Sequence, residues 1–348
     1  MFNKISPQDK VDFAKNLAVM LKSGIPINEA LESIGEQTGS KYFSKVINKL
    51  KNEIEKGTSL SQAFSDEEQV FGKVFTSLIR AGEASGSLEE NLSFLADWLE
   101  SNNDLREQVN TATLYPKIIL VATILLGGSL TVLILPRLIP LFRSLKVELP
   151  LPTKIMMAFS LFIQQYWLFV LIFLVGMVIT FNLLNRIKPI KRWFHLIYLR
   201  MPFFGKLMID YQLALMCQLF FVLSKSGLSI NSLLDVTGEA ATNIHYQDSI
   251  KAIQGRVDKG TTLSEGMTHY PKLYPRNLIS IIAIGEKSGT IDNSFLYLKD
   301  YYSKEVSNRT KKIPIIIEPA LLIVIGIAIG FVAVSIILPI YELTQGLR

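Results

Sequence analysis

One cysteine, Cys217, stands in a chain of 348 residues. A lone thiol excludes a disulfide framework and any cysteine-based metal cluster. Histidine is nearly as scarce, and His195, His245 and His269 lie far apart without metal-ligand spacing. They read as surface or hydrogen-bonded residues. No segment matches the G-x-x-x-x-G-K-[ST] loop that cradles nucleotide phosphates, so the chain is not expected to hydrolyse a nucleotide itself. Ser85 in "GEASG" lacks both the preceding strand of a nucleophile elbow and a neighbouring histidine base. Strand signals are almost missing, and the first fifteen residues lack the apolar core of a signal peptide. No catalytic residue, metal site or cofactor is expected, and the chain does not read as an enzyme.

What is present is apolar. Hydrophobic residues make up 49% and charged residues 19%, with a mean hydropathy of +0.32. That is too apolar for an average soluble protein and too charged for one lying wholly in lipid. Polar domains joined by spanning helices resolve the conflict. The net charge of +6 fits basic loops beside a membrane and does not require nucleic acid. "KRWFHLIYLR", Lys191 to Arg200, resembles a nucleic-acid patch but follows an apolar run directly. It reads as a juxtamembrane anchor, with its aromatic rings buried and its bases on lipid phosphates.

Three stretches can span a bilayer: Ile118 to Leu135, Trp167 to Leu184, and Ala320 to Leu338. The apolar run from Ile155 to Leu184 is too long for one straight crossing. Gln164, Gln165, Tyr166 and Trp167 divide it, so Pro152 to Gln165 is expected to be an amphipathic interfacial helix. None of the spans holds an interior charge, which argues against an ion path or proton relay. Arg186, Lys188, Lys191 and Arg192 follow the second span, and Arg309, Lys311 and Lys312 precede the third. The segment between them should be cytoplasmic, as should the N-terminal region, with the tail "YELTQGLR" outside. Arg137, Arg143, Lys146 and Lys154, after the first span, pull the other way.

The polar parts repeat. "LKSGIPINEALESIGE" from Leu21 aligns with "SKSGLSINSLLDVTGE" from Ser224, an offset of 203 (227 − 24 for the shared glycines). The same offset joins "EKGTSLSQA" to "DKGTTLSEG", "AGEASGSLEENL" to "IGEKSGTIDNSF", and Tyr115-Pro116 to Glu318-Pro319. It also joins "ILP" at Ile134 to "ILP" at Ile337. The chain is thus two copies of a bundle followed by a span, and the extra crossing returns it so that both copies face one side. A duplicated unit of this length is not a solenoid.

Helix-end chemistry accounts for most of the repeated letters. Gly24 and Gly227 suit the left-handed position after a helix, as do Gly57 and Gly260. Ser59 with Gln62, Thr262 with Glu265, and Ser87 with Glu90 fit capping boxes, and Thr290 with Asn293 a weaker one. Each polar domain should be an all-α bundle of about half a dozen short antiparallel helices. Glu36, Glu83, Glu239 and Glu286, each following a glycine, lie near helix C-termini, where the macrodipole disfavours an anion. Their recurrence implies a basic partner, either inside the bundle or on another protein.

In the membrane, Gly326 and Gly330 form a small-xxx-small pair, matched by Thr123 and Gly127 in the first span, and such pairs allow close helix contact. Glu318-Pro319 reads as the opening of the third helix, proline at the first position and an acid at the positive end. A sharper reading makes Glu318 an interfacial carboxylate for a membrane substrate.

These phrases in register, with "LPLPTK" at Leu149 and "IEPALL…ILPIY" from Ile317, closely resemble the inner-membrane platform protein of type IV pilus and type II secretion machines (the GspF/PilC type). The resemblance covers nearly the whole chain, and Ser229 replaces the proline usual at its place. It implies a non-enzymatic, homo-oligomeric scaffold in the bacterial inner membrane. The expected partners are a cytoplasmic assembly or retraction ATPase, pilin or pseudopilin subunits and other inner-membrane assembly components, with no nucleic acid bound directly. On this reading Glu36, Glu83, Glu239 and Glu286 are candidate ATPase-facing residues, while Glu318, Pro319, Gly326, Gly330, Thr123 and Gly127 are candidates for pilin or helix contacts. The expected fold is an all-α polytopic membrane protein with two homologous cytoplasmic six-helix-type bundles and three transmembrane helices. Its division is 1–112 first bundle, 113–139 first span, 140–166 outer loop and interfacial helix, and 167–185 second span. Then come 186–313 second bundle, 314–340 third span and 341–348 outer tail. A transporter or channel with duplicated halves is the competing class, although its spans usually carry charges or breaks. A membrane receptor for a soluble partner is a third.

Overall fold

Helix-end signals place the breaks in this chain. A computed structural model describes residues 5–129, 150–184, 187–201 and 204–346. The readings of Ile134 to Pro136, of Arg137, Arg143 and Lys146, of Arg186, and of the first residue of "LPLPTK" lie outside these residues. Among the described residues every regular element is an α-helix. The first repeat contains α1 (Pro7–Lys22), α2 (Ile27–Gln37), α3 (Lys41–Glu55), α4 (Leu60–Asp66), α5 (Glu68–Phe71) and α6 (Lys73–Ser85), and continues into α7 (Leu88–Ser129). Then come α8 (Leu151–Leu184) and α9 (Lys188–Arg200). The second repeat contains α10 (Phe204–Lys225), α11 (Ile230–Ala240), α12 (Ile244–Val257), α13 (Leu263–Thr268) and α14 (Arg276–Ser288), and continues into α15 (Ile291–Gly346).

The chain forms two units. One combines Met1–Gln108 with Arg192–Asn308; the other combines Val109–Lys191 with Arg309–Arg348. In the first unit each repeat has its own core. Phe13, Phe43, Phe64, Phe71 and Phe75 are buried together, with Phe71 centred 4.8 Å from both Phe64 and Phe75. In register, the second core places Met216, Tyr246, Met267, Tyr274 and Leu278, all buried. The two tyrosines meet edge to face at 5.7 Å. A buried phenol needs a partner, and both have one. The Tyr246 hydroxyl donates to the Leu273 carbonyl at 2.9 Å, and the Tyr274 hydroxyl lies 2.8 Å from Ser249 Oγ. Burying each such side chain contributes about 1.5–3 kcal/mol.

The turn glycines behave alike in both copies. Gly24 has φ +80° and Gly227 +76°, a region costly for residues with a Cβ. The chain folds back after each: the Ile25 amide donates to Met20 at 3.0 Å and the Leu228 amide to Leu223 at 3.1 Å. Gly57 and Gly260 make the same reversal, the next amide donating to Glu53 and Arg256.

Four helices among the described residues are long and apolar enough to cross a membrane: α7, α8, α10 and α15. Helix α10 differs from the others. Two thirds of its most apolar stretch is buried, against none in α7 and α15 and 6% in α8. It carries Cys217, Leu219, Phe220 and Leu223 into the second bundle and is a core helix.

In the second unit, α8 is kinked at Tyr166, whose φ of −118° and ψ of 20° leave the helical region. Its first half packs on α15. Thr153 Oγ1 donates to the Ser335 carbonyl at 2.7 Å, and Met156 and Met157 pack against Val332. Helix α15 corrects one expectation. It begins at Ile291, so Glu318-Pro319 lies within a helix and does not open one; Pro116 likewise lies inside α7. A proline forfeits one interior hydrogen bond, whereas ending the helix there would strand up to four carbonyls at the edge of the apolar run.

Candidate functional site at the contact of the two repeats

The four glutamates fall into two pairs. Glu83, on α6, accepts the Leu60 amide on Oε1 at 2.7 Å and the Ser61 amide on Oε2 at 2.9 Å. Glu286, on α14, accepts the Leu263 amide at 2.6 Å and the Ser264 amide at 3.0 Å. Each carboxylate therefore sits on the N-terminus of a short neighbouring helix, where amides lack intrahelical acceptors and the dipole is positive. Desolvation raises the Glu83 pKa, but hydrogen bonds from Ser61 and Leu60 outweigh it, leaving the carboxyl below its ordinary value.

The cap residues complete these ends. Ser59 Oγ accepts the Gln62 amide at 3.3 Å, and Thr262 Oγ1 the Glu265 amide at 3.2 Å. Of these two ends, that of Thr262 and Glu265 closes a full capping box, the Thr262 amide returning to Glu265 at 3.4 Å. Gln62 departs from the expectation: its side-chain amide donates to Asp66 at 2.9 Å. The Glu83 carboxylate already occupies that end of α4, and Asp66 lies one turn along the same face. The hydroxyls of Ser87 and Thr290 lie 2.6 Å from those of Ser85 and Ser288.

Glu239 and Glu36 form the second pair, on α11 and α2. Lys73, at the start of α6, donates to Glu239 at 2.6 Å and to Asp235 at 2.9 Å, which ties the first repeat to the second. Burial lowers the Lys73 pKa, and hydrogen bonds to Glu239 and Asp235 more than reverse this, so the ammonium is held above its ordinary value. Around this contact lies an open cleft of about 530 Å³ whose walls include Lys73, Ser77, Arg80, Leu228, Ser232 and Asp235. Glu36 is exposed and has no ion pair among the described residues. Lys73 and Asp235 escaped the sequence reading. The signal was available, because position 73 and its counterpart 276 are both basic, and 235 and its counterpart 32 both acidic.

The membrane candidates are placed separately. Glu318 is exposed on α15, next to Pro319. Gly326, Gly330 and Gly127 have open space where a Cβ would stand, and Thr123 Oγ1 donates back to the Ile119 carbonyl at 2.8 Å. The three histidines are hydrogen-bonded: His195 Nδ1 accepts the Ile244 amide, His245 Nε2 lies 3.1 Å from the Arg192 carbonyl, and His269 Nε2 lies 3.1 Å from Arg256. Among the described residues no three His, Cys, Asp or Glu side chains cluster as metal ligands. Arg192 pairs with Asp248, so this base of the juxtamembrane segment is held by protein, and Trp193 and Tyr198 remain exposed.

A duplicated helical bundle, each copy running into a long apolar helix, defines an all-α, multi-pass membrane protein. The family described as Type II secretion system (T2SS), protein F matches residues 13–136 and again residues 216–339. The starts and the ends both differ by 203 (216 − 13 and 339 − 136), the register of the internal repeat. The matches cover more than two thirds of the chain, which belongs to this family. It is 27% identical over 341 residues to the type IV pilus assembly protein PilC of Pseudomonas aeruginosa, covering 98% of this chain and 91% of that protein. It is 28% identical over 336 residues to the PilC protein of Thermus thermophilus, covering 97% and 82%. It is also 26% identical over 333 residues to the type II secretion system protein F of Aeromonas hydrophila, covering 95% and 85%.

Proposed function

We propose that this chain is the inner-membrane platform of a type IV pilus or type II secretion machine, a non-enzymatic scaffold. The observation that carries the reading is the family match on both repeats in one register, with relatives named for pilus assembly and for secretion. Both bundles would lie in the cytoplasm, divided from the spans as the sequence suggests, with the C-terminus outside. The Lys and Arg beside the second and third spans favour that orientation. There the bundles would meet a hexameric assembly or retraction ATPase and pass its cycles to pilin or pseudopilin subunits and other membrane components.

The helix ends bearing Gly57, Gly260, Glu83 and Glu286 are the proposed motor-facing surface. Because Glu83 and Glu286 also cap α4 and α13, reversing their charge would disturb the bundle as well as any docking. Glutamine, which keeps one acceptor oxygen, is the cleaner substitution. Glu318 is the proposed contact for a pilin amine at the edge of the third span. If Glu318→Gln leaves piliation and secretion intact, that assignment fails.

Crosslinking in native membranes, followed by pull-down and mass identification, tests the whole reading. An ATPase and pilins should be recovered with the chain. Substrate flux in proteoliposomes, with no ATPase or pilin recovered from native membranes, would favour a transporter and overturn it.

A further inference from the structure

Inside one chain, Lys73 of α6 binds Asp235 and Glu239 of α11. The repeat register turns that triad into a second one: Arg276 on α14, with Glu32 and Glu36 on α2. The base has remained a base, and both acids have remained acids. Within the chain this second set does not meet. Arg276 and Glu36 are exposed, and their side chains have no hydrogen bond or ion pair among the described residues. Glu32 reaches Lys51 at 2.9 Å, with half its side chain in the open.

Apolar exposure divides the same way. Ile284 on α14 is 67% exposed, while its counterpart Ala81 lines the cleft against α11. Val19 is 64% exposed, and its counterpart Val222 only 5%. Ile25 is exposed, and its counterpart Leu228 lines that cleft. Large apolar side chains left exposed outside the apolar spans, in repeats that also carry unpaired charges, mark a contact surface.

We propose that the α14 face of one chain docks on the α1–α2 face of a second copy, repeating between chains the contact α6 makes with α11 within one. Arg276 pairs with Glu36 of the neighbouring copy, and Ile284 covers its Ile25 and Val19. Two different faces meet, so the contact is heterologous and chains add head to tail until a ring closes. The in-chain contact supplies the template, and the matching charges supply the complementarity. Where the cleft has Arg80 and Ala81, α14 offers Ala283 and Ile284, which makes the surface between chains the more apolar of the two.

The test uses the full-length protein in detergent and in native membranes. Carrying both Ile25→Cys and Ile284→Cys, it should form interchain disulfides on oxidation, with native Cys217 buried and out of competition. Arg276→Glu should weaken self-association about a hundredfold, since it sets like charges together. Adding Glu36→Lys to the same chain should restore it. Both positions are exposed, so the melting temperature should hold; if one variant melts early, the other alone reads the same contact from the opposite face. Unchanged association in Arg276→Glu, loss without restoration in the double variant, or no interchain disulfide from the cysteine pair each overturns the proposal. The platform reading is not needed for this contact. Self-association through these faces without motor binding would sink that reading and leave this one standing.

Discussion

Lys73 and Glu239 lie 166 positions apart in the chain, yet Nζ of one is 2.6 Å from Oε1 of the other. They join the first repeat to the second by a bond between side chains that helix propensity alone would not pair. The lysine is partly covered while both its acids are more than half exposed, so solvent screens much of the attraction.

Replacing Lys73 by alanine should therefore destabilise the paired bundles by about 1 kcal/mol at low salt and by less in molar salt. Denaturant midpoints measured at both ionic strengths check this. An equal loss at the two would assign the effect to packing of the lysine stem.

Glu83 offers a pH dependence with a definite sign. Its folded pKa is depressed below 4.5, so its stabilisation is present above the unfolded pKa and is lost as pH falls through the folded one. Glu83→Gln should cost about 1 kcal/mol at neutral pH, as for a lost helix cap, and should flatten the acid limb of the stability curve. Melting curves below pH 4.5 that run parallel to the wild type would refute the assignment.

Two kinds of glycine should respond differently to alanine. At Gly24 the space is open, and the penalty is the positive φ alone, about 1 kcal/mol. At Gly82 an added Cβ would lie 2.8 Å from Leu88 Cα and 3.1 Å from Asn91 Nδ2. Overpacking against backbone should make Gly82→Ala cost about 2–3 kcal/mol. Urea midpoints compare the two directly, and the larger loss is expected at Gly82.

Cys217 is a poor topology probe. It is fully buried, and burial pushes its thiol well above the ordinary range. Maleimide should leave it unlabelled from either side of the membrane until the bundle unfolds. Gly255, on α12, has open space for a side chain; Gly255→Cys should label from the cytoplasmic side. Labelling from outside in intact cells would invert the proposed orientation.

Much of this organisation was legible in the sequence because it depends on few letters. A glycine at positive φ is hard to replace, so Gly24 and Gly227 stand out, and with them the register. The glutamates were suspect because an acid near a helix C-terminus is unfavourable. Their targets were not legible, since the Glu83 carboxylate reaches backbone amides 22 and 23 positions away, and an amide has no letter. Glu318-Pro319 misled for a related reason: proline marks a helix start in water, but α15 passes through it. The apolar length of α10 is ambiguous by composition, and only packing assigns it to a core.

The second copy's core keeps the positions of the first but not its chemistry. Phe43 and Phe71 are held by neighbouring rings, whereas Tyr246 and Tyr274 also direct hydroxyls at Leu273 and Ser249. A mutational scan of one half therefore cannot be carried to the other by adding 203. Trimming a ring oxygen is meaningful only in the later copy, and each half must be mapped on its own terms.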